Sequence, residues 1–336
     1  MTQLKRVAVV GATGAVGEAM LSILAERKFP ASEIIALASE RSAGNRVACG
    51  DARIVVRDLA TFDPAGLDIA LFSAGGATSR EYAPRFASAG AVVIDNSSTF
   101  RYDDDIPLVI AEVNPEAIGR RPRGIIANPN CSTMQLLVAL APIHRAVGIR
   151  RIEVATYQSV SGAGRKAMEE LGRQSAALLS MQKIKPVKFP VQIGFNVIPH
   201  IDEFQDNGFT REEMKMIWET HKILGDPSIH VNPTCVRVPV FCGHSEAVHL
   251  ELRAPLSADA ARKLLRRAPG VKVIDIPKDR GYPTPVTHAA GEDAVFVGRL
   301  RNPPGELDRL NLWIVADNVR KGAALNAVQI AELVAA

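Results

Sequence analysis

The arrangement of apolar and polar positions changes once along the chain. Val7–Val10 is a short apolar run, and from Ala15 to Arg27 the apolar residues recur at helical spacing, which predicts a strand followed by an amphipathic helix. Ile34–Ala38, Ile54–Val56, Ile69–Ser73 and Val92–Asp95 are further short apolar runs bounded by turn residues. Strands of this kind alternating with helices fit a parallel sheet covered by its crossovers. Beyond Cys131 the runs lengthen and alternate: Arg151–Tyr157, Cys235–Phe241, Glu246–Arg253 and Leu310–Val315 predict an antiparallel or mixed sheet. Met134–Ile143 is apolar enough for a buried helix, and Asn318–Val334 reads as a closing helix that packs back on the first part. The predicted class is therefore α/β, with a parallel-sheet domain over 1–130 plus 318–336 and an α+β domain over 131–317. Pro186–Pro199 carries three prolines and little periodicity, and reads as an ordered excursion or a subunit contact.

Composition narrows the function classes. A length of 336 residues favours two domains over one, and 47% hydrophobic with 23% charged residues supplies ordinary globular cores. The formal charge is only +4 with no dense Lys/Arg block, so a small anionic substrate fits better than nucleic acid or a membrane surface. No run of eighteen apolar residues is present to span a bilayer as a simple helix. Four scattered cysteines, Cys49, Cys131, Cys235 and Cys242, point to a reducing compartment and hence a cytoplasmic address.

The turn Gly11-Ala-Thr13-Gly14-Ala15-Val16-Gly17 lies between an apolar strand and a helix. Glycines there let the backbone approach a pyrophosphate, and the helix N-terminus attracts its charge, so the first domain is Rossmann-like. Spacing is GxxGxxG, and a purely structural strand-to-helix turn is the alternative. At the end of the second strand, Arg41 between Ser39 and Ser42 makes a pocket suited to a 2′-phosphate, which points to NADP. Glu40 complicates that reading, and a solvated loop charge is the alternative. Ser73 and Gly75, after another strand, offer a second approach to the cofactor.

Asn128-Pro-Asn-Cys131-Ser-Thr precedes the apolar helix, which puts Cys131 at a helix N-terminus, where the dipole favours thiolate. The other three cysteines lack such a setting. In Arg237-Val-Pro-Val-Phe-Cys-Gly-His244, alternation sets Val236, Val238 and Val240 on one face and Arg237 on the other. Arg237 could then clamp a carboxylate while His244, in the loop beyond the strand, exchanges protons. A structural histidine is the alternative. A zinc site from Cys235, Cys242 and His244 has a spacing unlike the usual fingers, so no metal is expected. Tyr157-Gln158-Ser-Val-Ser161-Gly162-Ala-Gly ends a strand and opens a helix, presenting polar groups to a ligand or forming a tight turn.

With GATGAVG, SERSAG, DNSSTFR, NPNCST, YQSVSGAG, EEMKMIWET, RVPVFCGHSEAV and VADNVRKGAALNA in this order, the chain resembles the bacterial aspartate-semialdehyde dehydrogenases from end to end. The resemblance implies NADP-dependent conversion of aspartyl-4-phosphate to aspartate semialdehyde, in lysine, threonine, methionine and diaminopimelate synthesis. It implies a homodimer formed through the catalytic and dimerisation domain. By position, Cys131 is similar to the acyl-thioester nucleophile, Gln158 to the residue orienting the acyl group and His244 to the acid/base. Arg237 is similar to the substrate-carboxylate clamp, Glu212 to the ammonium partner, and Arg101 with Lys215 to a phosphate-binding pair. Thr13 to Val16, Arg41, Ser42, Ser161, Gly162 and Asn318 are similar to cofactor contacts. A related reductase acting on N-acetylglutamyl phosphate shares this logic, and Glu212 argues against it.

Overall fold

The computed structural model describes residues 4–336. Two compact units divide these residues: one runs up to Asn130 and resumes over Gly322–Ala336, and the other is Cys131–Lys321. The return to the first unit thus falls at Gly322, a few residues past Asn318.

The first unit begins with β1 (Lys5–Val10), α1 (Ala15–Glu26), β2 (Ala31–Ala38), β3 (Arg46–Cys49) and β4 (Ala52–Asp58). It continues with β5 (Ile69–Phe72), α2 (Gly76–Ser88), β6 (Val92–Asp95) and β7 (Ile125–Ala127). The strands form one sheet in the order β3-β4-β2-β1-β5-β6-β7. All neighbours are parallel except β3 with β4. Strand order reverses at β1, and a crevice beyond the carboxyl ends of β1, β2 and β5 follows from that topology. Val7, Val9, Leu71 and Ile94 line the core, and the C-terminal helix Asn326–Ala335 adds Val328, Ile330 and Ala331 to it. Asn326 anchors that helix, donating to Val109 O (2.9 Å) and Asn128 Oδ1 (2.6 Å) and accepting from Ala111 N (3.0 Å). The expected helix from Asn318 is corrected here. Asp317 Oδ1 accepts from the N–H groups of Val319 and Arg320, residues 320–325 form wider π-type turns, and the α-helix starts only at Asn326.

The second unit holds α3 (Cys131–Val147), β8 (Ile149–Gln158), α4 (Arg165–Leu179), α5 (Arg211–Leu224) and β9 (His230–Arg237). Then follow β10 (His244–Leu252), α6 (Ala258–Leu265), β11 (Val271–Val273), β12 (Val295–Arg301) and β13 (Arg309–Ala316). Their sheet runs β11-β12-β13-β10-β8-β9, antiparallel through the middle and parallel at both edges, hence mixed. Two strand limits differ from expectation. β9 stops at Arg237 instead of reaching Phe241, because Pro239 has no N–H for a ladder, and Val240 N bonds Val238 O instead. His244 is not in a loop beyond a strand but is the first residue of β10, set there by the turn at Gly243.

The Pro186–Pro199 stretch has no helix or strand, yet α4 holds it in place. Glu170 accepts from Val187 N (3.0 Å) and Lys188 N (2.5 Å), and Gln174 Oε1 accepts from Ile193 N (2.9 Å) and Gly194 N (3.0 Å).

Candidate active site

Cross-strand register assembles the second unit's polar side chains. Gln158, the last residue of β8, pairs with Arg237, the last of β9. Tyr157 pairs with Ser245, so in the same register Gln158 falls beside His244. His244, Gln158 and Arg237 thus form one row at the sheet's rim, and all three are buried. Gln158 Nε2 donates to Glu212 Oε1 (3.3 Å), which puts the row on the side covered by α5. Cys131 opens α3 at intermediate exposure and bears electrostatically on Arg237.

Ser159 links this row, although no sequence signal singles it out. Its carbonyl accepts from Arg237 Nη1 (2.7 Å), while its N–H donates to His244 Nδ1 (3.1 Å) and its hydroxyl lies 3.0 Å from the same nitrogen. A backbone N–H can only donate, so Nδ1 carries the lone pair and the neutral ring keeps its proton on Nε2. Burial, then the nearby Arg237 cation, push His244 well below 6.5, which keeps the ring neutral. Its Nε2 has no hydrogen-bond partner among the described residues. A Cβ at Gly162 would sit 3.1 Å from Arg237 Nη1 and 3.2 Å from His244 Nε2, so the glycine keeps the space where the two converge open. Asn318 Oδ1 accepts from Ser159 Oγ (3.1 Å), Ser161 Oγ (3.0 Å) and Gly243 N (3.0 Å), tying three loops together.

Glu212 and Lys215 share a face of α5, as their spacing predicts. Lys215 Nζ reaches Glu212 Oε2 at 3.0 Å and Asp202 Oδ2 at 2.6 Å. Burial opposes its charge, but the two carboxylates outweigh that and raise its pKa above the ordinary value. Asp202 escaped the sequence reading because a loop distant in sequence supplies it. The start of α5 is fixed by a capping box: Thr210 N donates to Glu213 Oε2 (2.7 Å) and Glu213 N to Thr210 Oγ1 (3.3 Å). Glu213 Oε1 also accepts from Cys235 N (2.9 Å), pinning the helix to β9. Burial raises the pKa of Cys49, Cys235 and Cys242, holding all three as thiols.

Comparison with known proteins follows the two units. The pattern described as "Semialdehyde dehydrogenase, NAD binding domain" matches residues 6–121, and "Semialdehyde dehydrogenase, dimerisation domain" matches 140–321. Aspartate-semialdehyde dehydrogenase of Legionella pneumophila is 59% identical, covering 99% of this chain and 96% of its own. The chain belongs to the aspartate-semialdehyde dehydrogenase family. Among solved members, aspartate semialdehyde dehydrogenase II of Vibrio cholerae, in complex with ASA, superposes with a TM-score of 0.96 at 57% identity and 98% coverage of both chains. The Candida albicans aspartate semialdehyde dehydrogenase, solved with NADP, gives 0.75 at 25% identity over 98% of both.

A family built on an NAD-binding domain implies a dinucleotide cradle in the first unit. Gly11 has φ +86°, and a Cβ there would lie 2.6 Å from Ser73 O, so only glycine permits β1 to turn this close to β5. Gly14, the N-cap of α1, makes no side-chain cap, which leaves the first N–H groups of the helix for an anion. Beside it is a cavity of about 540 Å³ lined by Gly11, Thr13, Gly14, Ser39, Arg41, Ser42 and Ser73. Ala15, Val16 and Gly17 form the first turn of α1, and Gly75 (φ +88°) precedes α2. Glu40, Asp58, Glu81 and Tyr82 also line the cavity, the last three with no motif in the sequence that points to them. These features fit a dinucleotide. Ser161, Gly162 and Asn318 belong to the second unit, whereas Arg101 belongs to the first. Arg101 Nη2 donates to Asn96 O (3.1 Å) in a loop anchored by Asp95, which accepts from Ser79 Oγ and Ser97 Oγ, both at 2.6 Å. No group of three or more His, Cys, Asp or Glu able to hold a metal occurs among the described residues.

Proposed function

We propose that the chain catalyses NADP-dependent reductive dephosphorylation of L-aspartyl-4-phosphate to L-aspartate 4-semialdehyde through a thioester on Cys131. The observation that carries this reading is the buried row His244–Gln158–Arg237, with Glu212 against it, beside the helix that begins at Cys131.

The N-terminus of α3 stabilises negative charge on the Cys131 sulfur. Arg237 clamps the substrate's α-carboxylate and Glu212 meets its ammonium. The thiolate attacks the acyl carbon, a carbon–sulfur bond forms, and the carbon–oxygen bond to phosphate breaks with its electron pair leaving on phosphate. Arg101 and Lys215 balance the charge of that leaving group, and Gln158 orients the acyl oxygen. The glycine turn would hold the pyrophosphate of NADP, with Arg41, Ser39 and Ser42 around its 2′-phosphate, and the bound cofactor would supply the hydride that the acyl carbon takes up. His244, in the tautomer fixed by Ser159, donates its Nε2–H to the oxyanion that results. The oxyanion then re-forms a carbonyl as the carbon–sulfur bond breaks and Cys131 departs as thiolate, so the resting ring need not lose its proton.

The relatives' names support the substrate, and the NADP complex of the Candida relative supports the cofactor. A homodimer through the second unit, a cytoplasmic location and a place in lysine, threonine, methionine and diaminopimelate synthesis complete the proposal. The purified protein is expected to oxidise aspartate semialdehyde with NADP only when phosphate or arsenate is present. An equal rate without either anion excludes the acyl-phosphate step.

A further inference from the structure

Two residues further along the strands runs a second buried row that the proposed reaction leaves unused. Glu246 follows His244 on the same face of β10, pairs in register with Thr156 of β8, and Thr156 pairs with Cys235 of β9. All three are fully buried. Facing Glu246 from α3 is Gln135, also fully buried and one helical turn after Cys131. Neither oxygen of the Glu246 carboxyl and neither polar atom of the Gln135 amide has a hydrogen-bond partner among the described residues. Two such groups left facing each other in a closed interior are an energetic liability unless they satisfy one another.

We propose that Glu246 is a positioning residue for the reaction: with Gln135 it holds the first turn of α3, and therefore Cys131, against the strand that carries His244. This rests on the thioester reading above. A carboxylic acid and a primary amide can bond reciprocally, the acid O–H donating to Gln135 Oε1 and Gln135 Nε2 donating to the acid's carbonyl oxygen. That arrangement needs the acid to keep its proton. Burial pushes Glu246 well above the ordinary carboxylate range, with Gln135 opposing the shift. Around it stand Cys235 on β9, itself held as a thiol by burial, and the neutral His244 on β10. From α5, Met216 packs on Cys235, and Glu212 and Glu213 act on the same thiol. Arg237, two residues past Cys235 on β9, is the cation of the neighbouring row; its charge bears on Glu212, Cys131 and Cys235, while the shift of Glu246 comes from burial and Gln135. Ionisation at alkaline pH would break the pair and add a negative charge close to the catalytic row.

The test compares E246Q, which keeps a reciprocal amide pair but cannot ionise, with E246A. E246A is expected to lose about 100-fold in kcat with KM for semialdehyde and NADP binding little changed, the cost of misplacing a nucleophile. E246Q is expected to rescue most of that loss and to keep turning over at alkaline pH where the wild type declines. Infrared difference spectra should show a protonated-carboxyl band at neutral pH, shifted in D₂O and absent from E246Q. If E246A does not fold, the E246Q profile and the infrared band decide. Wild-type turnover in E246A, E246Q as impaired as E246A, coincident pH profiles, or a missing carboxyl band would each overturn the inference. An inactive C131A beside a fully active E246A leaves the thioester reading intact and removes only this one; an active C131A removes both.

Discussion

The two units grip by opposite means. In the first, the cradle is main chain: a glycine turn at φ +86°, a helix without a side-chain cap, and a cavity at the point where strand order reverses. In the second, the functional groups are side chains, joined by the main-chain N–H and carbonyl of Ser159. Ser159, His244, Arg237, Gln158, Glu212, Lys215 and Asp202 interlock over a buried sheet rim. A main-chain cradle tolerates many side chains but punishes an added Cβ, whereas a side-chain site depends on each functional group: burial keeps His244 neutral, and the Glu212 and Asp202 carboxylates keep Lys215 charged against burial.

The sharpest way to separate the two units is Cys131→Ala. Turnover should fall by about 10⁴-fold or more, while NADPH binding, followed by fluorescence titration, stays as in the wild type. Residual full activity would show that the chemistry does not run through that sulfur. Next in size is Gly162→Ala, which carries the first unit's kind of sensitivity into the second. Its methyl would crowd Arg237 Nη1 and His244 Nε2, and kcat/KM should drop by about 100-fold with little change in Tm. An unaffected kcat/KM would mean that the space above the ring is not used. Arg237→Lys should raise KM for semialdehyde by about 10- to 100-fold, because an ammonium cannot reproduce a planar two-point contact with a carboxylate. An unchanged KM would contradict the clamp. The smallest effect is expected from Arg41→Ala: about a tenfold rise in KM for NADPH and none for NADH. Equal losses with both cofactors would remove the 2′-phosphate assignment.

The first unit was legible because parallel strands buried on both faces read as continuous apolar runs, as at Val7–Val10 and Ile69–Phe72. The second was harder for a physical reason. Strand β10 begins His244-Ser245, both buried and polar where alternation predicts an apolar residue, so these two positions read as loop and the expected strand starts only at Glu246. Pro239 cut the expected strand short, and short edge strands such as β3, with only Val47 buried, gave too little pattern to be seen. Of the site, Cys131, Gln158, Arg237 and His244 stand in motifs that expose them to inspection. Ser159 and Asp202 act through partners 85 and 13 residues away, which no local spacing encodes. The capping box at Thr210 could have been read from Thr-x-x-Glu alone.

The C-terminal helix has a consequence for the order of biogenesis. Ala327, Val328, Ile330 and Ala331 complete the core that β1 begins, so a nascent chain emerging from the ribosome holds an unfinished first unit throughout translation of the entire second unit. Val7 and Val9 therefore wait for residues made more than three hundred positions later. The module whose strand is synthesised first is closed last, by a segment whose early release or proteolytic trimming would uncover the apolar floor of the sheet.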